Sequence, residues 1–306
     1  MKKIKFTKEG LIHFLSSNAV PIMFILLSLF AIPLSGFSIT YLVQELLTRL
    51  GRNSFLVLSL LIPIIAGMGL NFGMVLGAMA GQIGLLFVTD WGVAGIPGLS
   101  LAAIIATPLA ALLGYLCGKI LNKAKGREMV TGFILAFFMD GIYQLLVLYG
   151  MGSVIPIKSS GLVLSRGYGI RNAVNLVGVR QSLDDLIPLS IAGLKIPLVT
   201  FMVIAFFCLF IVWFRKTKLG QDMRALGQDM AVGDSAGIPV ERTRIIAIII
   251  STILACYGQI IFLQNIGTMN TYGSHNQTGM FSIAALLIGG ARSEEHTSEL
   301  QSRQVI

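Results

Sequence analysis

Long apolar runs fill this chain, and short polar or basic islands separate them. The runs occupy residues 15–34, 54–88, 99–121, 129–150, 196–214 and 245–263, and another begins at 279 and stops at 291. About 20 apolar residues at 1.5 Å rise per residue cross a hydrocarbon core ~30 Å thick, so these runs predict membrane helices. Residues 54–88 are too many for one crossing. A break is expected at the cluster Gly67, Gly69, Asn71 and Gly73. With that run counted twice, the pattern predicts an all-α, polytopic transmembrane helical bundle of about eight spans, with a broken or re-entrant region near Gly67 to Gly73.

The islands differ in character. Residues 37–53 are mixed and amphipathic, with Glu45, Arg49 and Arg52, and are expected at the membrane interface. Residues 89–98 (TDWGVAGIPG) read as a turn with Trp91 at interface depth. Residues 151–195 are long and mostly polar, and 264–278 read as a polar loop. Three islands are basic: KKIKFTK near the start, KILNKAKGR at 119–127, and 214–244. With the break near Asn71 all three fall on one side, which the positive-inside rule makes cytoplasmic, and the N-terminus with them. Residues 151–195 also carry five basic residues, including Arg166, Arg171 and Arg180, but long segments weigh little in that rule.

Composition supports lipid as the solvent. The 306 residues are 55% hydrophobic and 12% charged, with a mean hydropathy of +0.82, more apolar surface than a water-soluble domain can hide. The net charge of +9 sits in short clusters between apolar runs, so it marks membrane anchors and no nucleic-acid partner. Cys117, Cys208 and Cys256 lie in apolar runs without metal-ligand spacing and read as packing residues. The basic start followed by an apolar run lacks a clear small-x-small cleavage site, so an uncleaved first helix is expected.

After Ala291 the character changes abruptly to RSEEHTSELQSRQVI. RSEEHTSELQS is what a common sequencing adapter encodes when read in frame. Residues 292–306 are therefore expected to be read-through rather than a domain, with a genuine charged tail as the alternative. On this reading His296, Glu294, Glu295 and Glu299 form no site. Residues 1–291 are then expected to be one membrane domain whose natural sequence continues further.

Residues 214–244 read FRKTKLGQDMRALGQDMAVGDSAGIPVERTR. Leu219, Met223, Leu226 and Met230 recur at four, three and four, which marks one apolar helix face. Asp222 and Asp229 fit the first turns of short helices. Gly237 followed by Pro239 reads as a helix end. Gly227 and Gly233 would each cost ~1 kcal/mol inside one long helix, so short helices broken at glycines are expected. The small residues Ala225, Gly227, Ala231, Ala236 and Gly237 let another protein approach the backbone. An ordinary loop joining two spans is the plainer alternative.

The stretch ALGQDMAVGDSAGIPVERTRIIAIIIS resembles the cytoplasmic coupling loop of bacterial ABC-importer permeases, in the family serving branched-chain amino acids, simple sugars and nucleosides. Ala225, Gly227, Ala236, Gly237, Ile238, Arg242 and Arg244 carry the likeness, and the hydropathy layout extends it over 15–291. In that family the loop forms a short helix seated in a groove of the ATPase. The resemblance implies this role for Arg224, Ala225, Gly227, Ala231, Asp234, Ala236, Gly237, Ile238 and Arg242. It also implies a place in the bacterial plasma membrane and several partners: cytoplasmic ATPase subunits, a second permease subunit, identical or different, and an extracytoplasmic solute-binding protein.

Gly73, Gly77 and Gly81 share one helix face, a pattern for close helix packing in lipid. GLNFG at 69–73 is also similar to the family's early segment near the translocation path. It departs from the sugar-type form G-I-D-L-S-x-G and partly matches the nucleoside-type form N-I-G-x-E-G-Q. Packing and path lining both stay open for it. Asp140 lies inside the run 129–150 beside Tyr143 and Gln144. A carboxyl at that depth faces a bundle interior or a water-filled path. The candidate path residues are Asn71, Gly73, Gln82, Asp140, Gln144 and Gln259; Gln82 and Gln259 are the weaker of these, and Gln264 and Asn265 are weaker candidates of the same kind.

The sequence holds no Walker A pattern, metal-ligand spacing or nucleophile–base arrangement, so no catalytic residue, metal or cofactor is expected and the nucleotide site belongs to another chain. The expectation is a transport subunit, not an enzyme, moving a small polar solute, a sugar or nucleoside rather than an amino acid. The rivals are an ion- or proton-coupled secondary transporter using Asp140, and a membrane-embedded enzyme.

Overall fold

The computed structural model describes residues 19–191 and 193–289. The expectations for the basic start and for 292–306 fall outside them. Helix α1 (Ala19–Leu34) is apolar all round and buries none of its residues, as a helix facing lipid does.

Helix α2 (Ile39–Ser59) begins at Ser38, whose hydroxyl accepts the Tyr41 N–H, and continues past Leu60 into the short α3 (Leu61–Ile65). The amphipathic stretch at 37–53 is therefore not a separate interfacial helix but the first part of a 27-residue unit, Ile39–Ile65. Its one proline, Pro63, comes only near the end, within α3, and its charges find partners along the way. Glu45 and Arg49 pair at 2.7 Å, and Arg52 reaches Asn265 and lies over the Phe262 ring.

The break comes at the expected glycines. Residues 66–73 are not helical, and Gly67 and Gly69 take φ of +72° and +63°, values open to glycine and strained for other residues. Asn71 Oδ1 accepts the Gly73 N–H at 2.8 Å and turns the chain into α4 (Met74–Asp90). Helices α5 (Gly95–Lys123) and α6 (Glu128–Leu145) follow, and a π-helical turn extends the latter to Gly150. Residues 151–197 are largely irregular, with β1 (Ala173–Asn175), β2 (Pro188–Ile191) and β3 (Leu194–Pro197). Then come α7 (Leu198–Phe214), α8 (Lys218–Gln228), α9 (Met230–Ser235), α10 (Val240–Ile266), β4 (Thr268–Asn270) and α11 (Ser274–Ile288). Strand β1 pairs antiparallel with β4, and β2 with β3.

The centre of the bundle is α4 and α5 packed on α10. Gly77 and Gly81 lie against the backbone carbonyls of Thr252 and Cys256, and Gly114 and Gly118 of α5 against the Cα atoms of Ile249 and Ile245. The four-residue glycine spacing thus serves close packing. Cys117 and Cys256 are buried in this centre, whereas Cys208 is exposed on α7.

Contacts between helix termini define two ends. At one, Asn122 donates to the Glu241 carbonyl, Glu128 pairs with Arg244, and Gly67 meets Gly227. This end gathers the basic stretches 119–127 and 214–244. At the other, Asp90 Oδ1 accepts the N–H groups of Lys158 and Ser159 at 2.8 Å each, and Gln44 exchanges two hydrogen bonds with the Lys195 backbone. The break at 66–73 belongs to the first end, beside Cys117 and Gly132, and not to mid-bundle depth.

Among the described residues, four units are long and apolar enough to cross a membrane: Ile39–Ile65, Gly95–Lys123, Glu128–Gly150 and Val240–Ile266. Helix α7 makes a fifth when taken with α8, from which it is bent by 75°. Helices α1 and α4 are apolar but have 16 and 17 residues. The expected eight is therefore reached only by counting these and the more polar α11.

Candidate functional site

Two constellations stand out, one at the loop end and one in the middle of the bundle. The first is the α8–α9 surface. Thr217 caps α8 through the Gly220 N–H, and Met223 and Leu226 bury the apolar face that the sequence spacing marks. The helix ends at Asp229, not at Gly227. Asp229 Oδ1 accepts the N–H groups of Ala231 and Val232 at 2.8 and 3.0 Å and so starts α9. Asp222 falls inside α8 and caps nothing. Gly233 stays inside α9 because Leu226 packs where its Cβ would stand.

Helix α9 closes as expected at Gly237, φ +80°. The Ile238 N–H donates to the Gly233 carbonyl and the Gly237 N–H to the Asp234 carbonyl, the paired bonds of a left-handed helix cap. Arg224, Gly227, Ala231, Asp234, Ala236, Gly237 and Arg242 are exposed, and Ala225 and Ile238 half-buried. Val232 is 63% exposed in the middle of α9, an apolar side chain held out among small ones. A groove of ≈ 750 Å³ runs along α9, between Lys125, Met230, Asp234, Pro239 and Arg242.

Arg244 fastens this surface to the bundle. It is fully buried, pairs with the nearly buried Glu128 at the start of α6, and lies 3.4 Å from Met230 Sδ at the start of α9. One side chain thereby joins α9, α10 and α6.

The second constellation lies at mid-bundle. Gln82 is the ninth of the 17 residues of α4, and Asp140 the thirteenth of the 23 in Glu128–Gly150. His275 of α11 stands between them, with Nε2 2.7 Å from Asp140 Oδ1 and Nδ1 3.0 Å from Gln82 Oε1. Tyr143 Oη donates to Gln82 Oε1 at 2.8 Å, and Gln144 Nε2 to Asp140 Oδ2 at 3.1 Å. Gln259 of α10 accepts the Thr278 hydroxyl at 2.7 Å. Five of the expected path residues divide accordingly. Gln82, Asp140 and Gln144 meet, Gln259 joins α11 one turn further on, and Asn71 stays with its neighbour Gly73 at the loop end. Gln264 and Asn265 instead bind Asp184 Oδ2 in the 151–197 segment.

The structure adds His275, which the sequence reading leaves inside a polar loop. The available signal was Ser274, Thr278 and Ser282 at four-residue spacing. In the helix, Ser282 donates to the Thr278 carbonyl four residues back, and the Thr278 hydroxyl oxygen lies 2.9 Å from the Ser274 carbonyl oxygen.

A family model described as "Branched-chain amino acid transport system / permease component" matches residues 42–297. The chain belongs to this permease family. Its curated relatives include the proteins named "Autoinducer 2 import system permease protein LsrD" of Photorhabdus luminescens, 27% identical over 233 residues, and of Yersinia enterocolitica and Escherichia coli, each 25% identical over 233 residues. These alignments cover 76% of this chain and 61–62% of the relatives, so the chain spans about three fifths of their length. No solved structure matches. Membership in the permease family and the long apolar helices make the chain a multi-pass membrane protein. Both constellations lie inside the matched residues.

Proposed function

We propose that this chain is the membrane-spanning permease subunit of an ATP-binding-cassette importer that moves a small polar solute across the bacterial plasma membrane. The observation that carries the reading is the α8–α9 surface. Its outer face is small, exposed and apolar at Val232, while Met230 and Arg244 tie its inner face to α10 and α6. A partner seated on α9 can thus push on two spanning helices at once.

On this reading Arg224, Ala225, Gly227, Ala231, Asp234, Ala236, Gly237, Ile238 and Arg242 form the docking face for a cytoplasmic ATPase subunit. The loop end faces the cytoplasm, as its basic stretches favour, and so does the N-terminus. The 151–197 end faces outward, toward an extracytoplasmic solute-binding protein. A second permease subunit, identical or different, completes the transporter. Gln82, Asp140, Gln144 and Gln259 lie on the solute's route with His275, and Asn71 and Gly73 at its inner mouth. The relatives' name makes autoinducer 2 the first solute to try, with sugars and nucleosides next.

Reconstitution tests the reading. The full chain with its ATPase in lipid vesicles should take up solute on addition of ATP. Uptake by the chain alone, driven by an ion gradient, would overturn it in favour of a secondary transporter.

A further inference from the structure

The hydrogens of the mid-bundle cluster balance when His275 and Asp140 hold one proton more than a neutral imidazole and an ionised carboxylate carry between them. Gln82 Oε1 lies 2.8 Å from Tyr143 Oη and 3.0 Å from His275 Nδ1. An amide oxygen accepts from both, so Nδ1 bears a hydrogen. The other ring nitrogen, Nε2, is 2.7 Å from Asp140 Oδ1, and a hydrogen must lie between these two as well. That hydrogen is either a second proton on the ring or a proton on the carboxyl. Both descriptions add one proton, and both leave the pair neutral.

The competing pattern turns the Gln82 amide. Its NH₂ would donate to Tyr143 Oη and His275 Nδ1, and Nε2–H would donate to an ionised Asp140. The Gln82 oxygen and the Tyr143 hydroxyl hydrogen would then both lose their partners. As placed, the Gln82 amide group leaves Nε2 without a partner among the described residues, one orphan instead of two. Each buried orphan is costly, so the proton-bearing pattern, with one fewer, is favoured. The turned pattern also buries a net negative charge at mid-span, where charge is expensive.

The surroundings supply no substitute for that proton. From α6, Asp140 and Tyr143 face the imidazole, with the Tyr143 ring edge-on at 4.9 Å between centroids, and Gln144 holds the second carboxylate oxygen. From α4 comes the neutral Gln82, and from α10 the neutral Gln259, through Thr278. Tyr272, three residues before His275, donates to the Ile170 carbonyl, with the Arg166 guanidinium acting on it. Among the described residues, His275 is the one ionic partner of Asp140 within 4.0 Å.

We infer that His275 and Asp140 together bind one proton in this conformation, and that this proton latches α11 to α6 and α4. This goes beyond the permease reading and does not rest on it. By mass action, lower pH populates the closed arrangement and higher pH releases α11.

Nitrogen NMR of histidine-labelled full chain in lipid nanodiscs, from about pH 5 to about 8, reads the site directly. His275→Gln assigns the signal, since the chain has two other histidines, His13 and His296. The expected spectrum in the closed state has Nδ1 protonated. In Asp140→Asn the amide NH₂ donates to Nε2 and imitates the protonated carboxyl, so the ring should stay neutral and protonated at Nδ1 across the range. Spin labels at the exposed Phe138 and Gln277 report closure. Their separation should grow as pH rises in the natural chain and lose that dependence in Asp140→Asn. A neutral ring protonated at Nε2 alone overturns the inference. So does a label separation that ignores pH in the natural chain, or one that responds equally in Asp140→Asn.

Discussion

Gly67 and Gly227 meet backbone to backbone. A Cβ added to Gly67 would stand 2.7 Å from the Gly227 Cα, and one added to Gly227 would strike the Ile65 carbonyl oxygen. The turn after α3 and the last residues of α8 are thereby seated on each other without intervening side chains. Gly227→Ala should unseat α8 at a cost of about 1–3 kcal/mol, the range for overpacking. Gly67→Ala should cost more, because its positive φ adds backbone strain. Thermal unfolding of the purified chain in detergent checks both. Two variants as stable as the natural chain would show that the contact is not formed.

Glu128 and Arg244 make the second prediction. Removing one partner of a buried pair strands the other charge, at about 3–5 kcal/mol. Glu128→Gln and Arg244→Met should each lower the unfolding midpoint strongly. The double variant Glu128→Leu with Arg244→Met should recover much of the loss, because no charge is left buried. A double variant that loses the sum of the two single effects would contradict the pairing.

Gly237 separates backbone strain from surface bulk. Nothing lies within 4 Å of a Cβ at this position, so a side chain there points into open space. Gly237→Ala should cost roughly 1–2 kcal/mol for an L residue in a left-handed conformation and leave transport largely intact. Gly237→Arg carries the same strain but should abolish ATP-dependent uptake while the chain remains inserted. Equal uptake by the two variants would remove Gly237 from the docking face.

Much of this architecture was legible because lipid imposes simple length and polarity rules. The run 54–88 had to break, and it does so between Gly67 and Gly73. The four-residue spacing of Gly77 and Gly81 announced close packing, and the Gly237 and Pro239 pair announced a helix end. Residues 37–53 misled because their charges suggest an interface. Glu45 and Arg49 instead pair four residues apart along a continuous helix, and Arg52 reaches Asn265, a tertiary contact that no local pattern shows. Gly227 looked like a helix breaker. The break fell two residues later because Asp229 supplies a cap, while Gly227 is small for the sake of Ile65 and Gly67. Asp140 was recognisable as a buried carboxyl, but its partner lies 135 residues away on α11, and no local pattern links them.

The measurement that bears most directly on the account is a site-specific cross-link. A cysteine at Val232 on α9, in the full chain co-purified with its ATPase subunits, should join to the ATPase in high yield, and the yield should change between nucleotide-free and ATP-bound states. A cysteine at Val154, 82% exposed at the opposite end, is the control and should not join. Cross-linking to the ATPase from Val154 and none from Val232 would contradict the assignment of α8–α9 as the coupling surface.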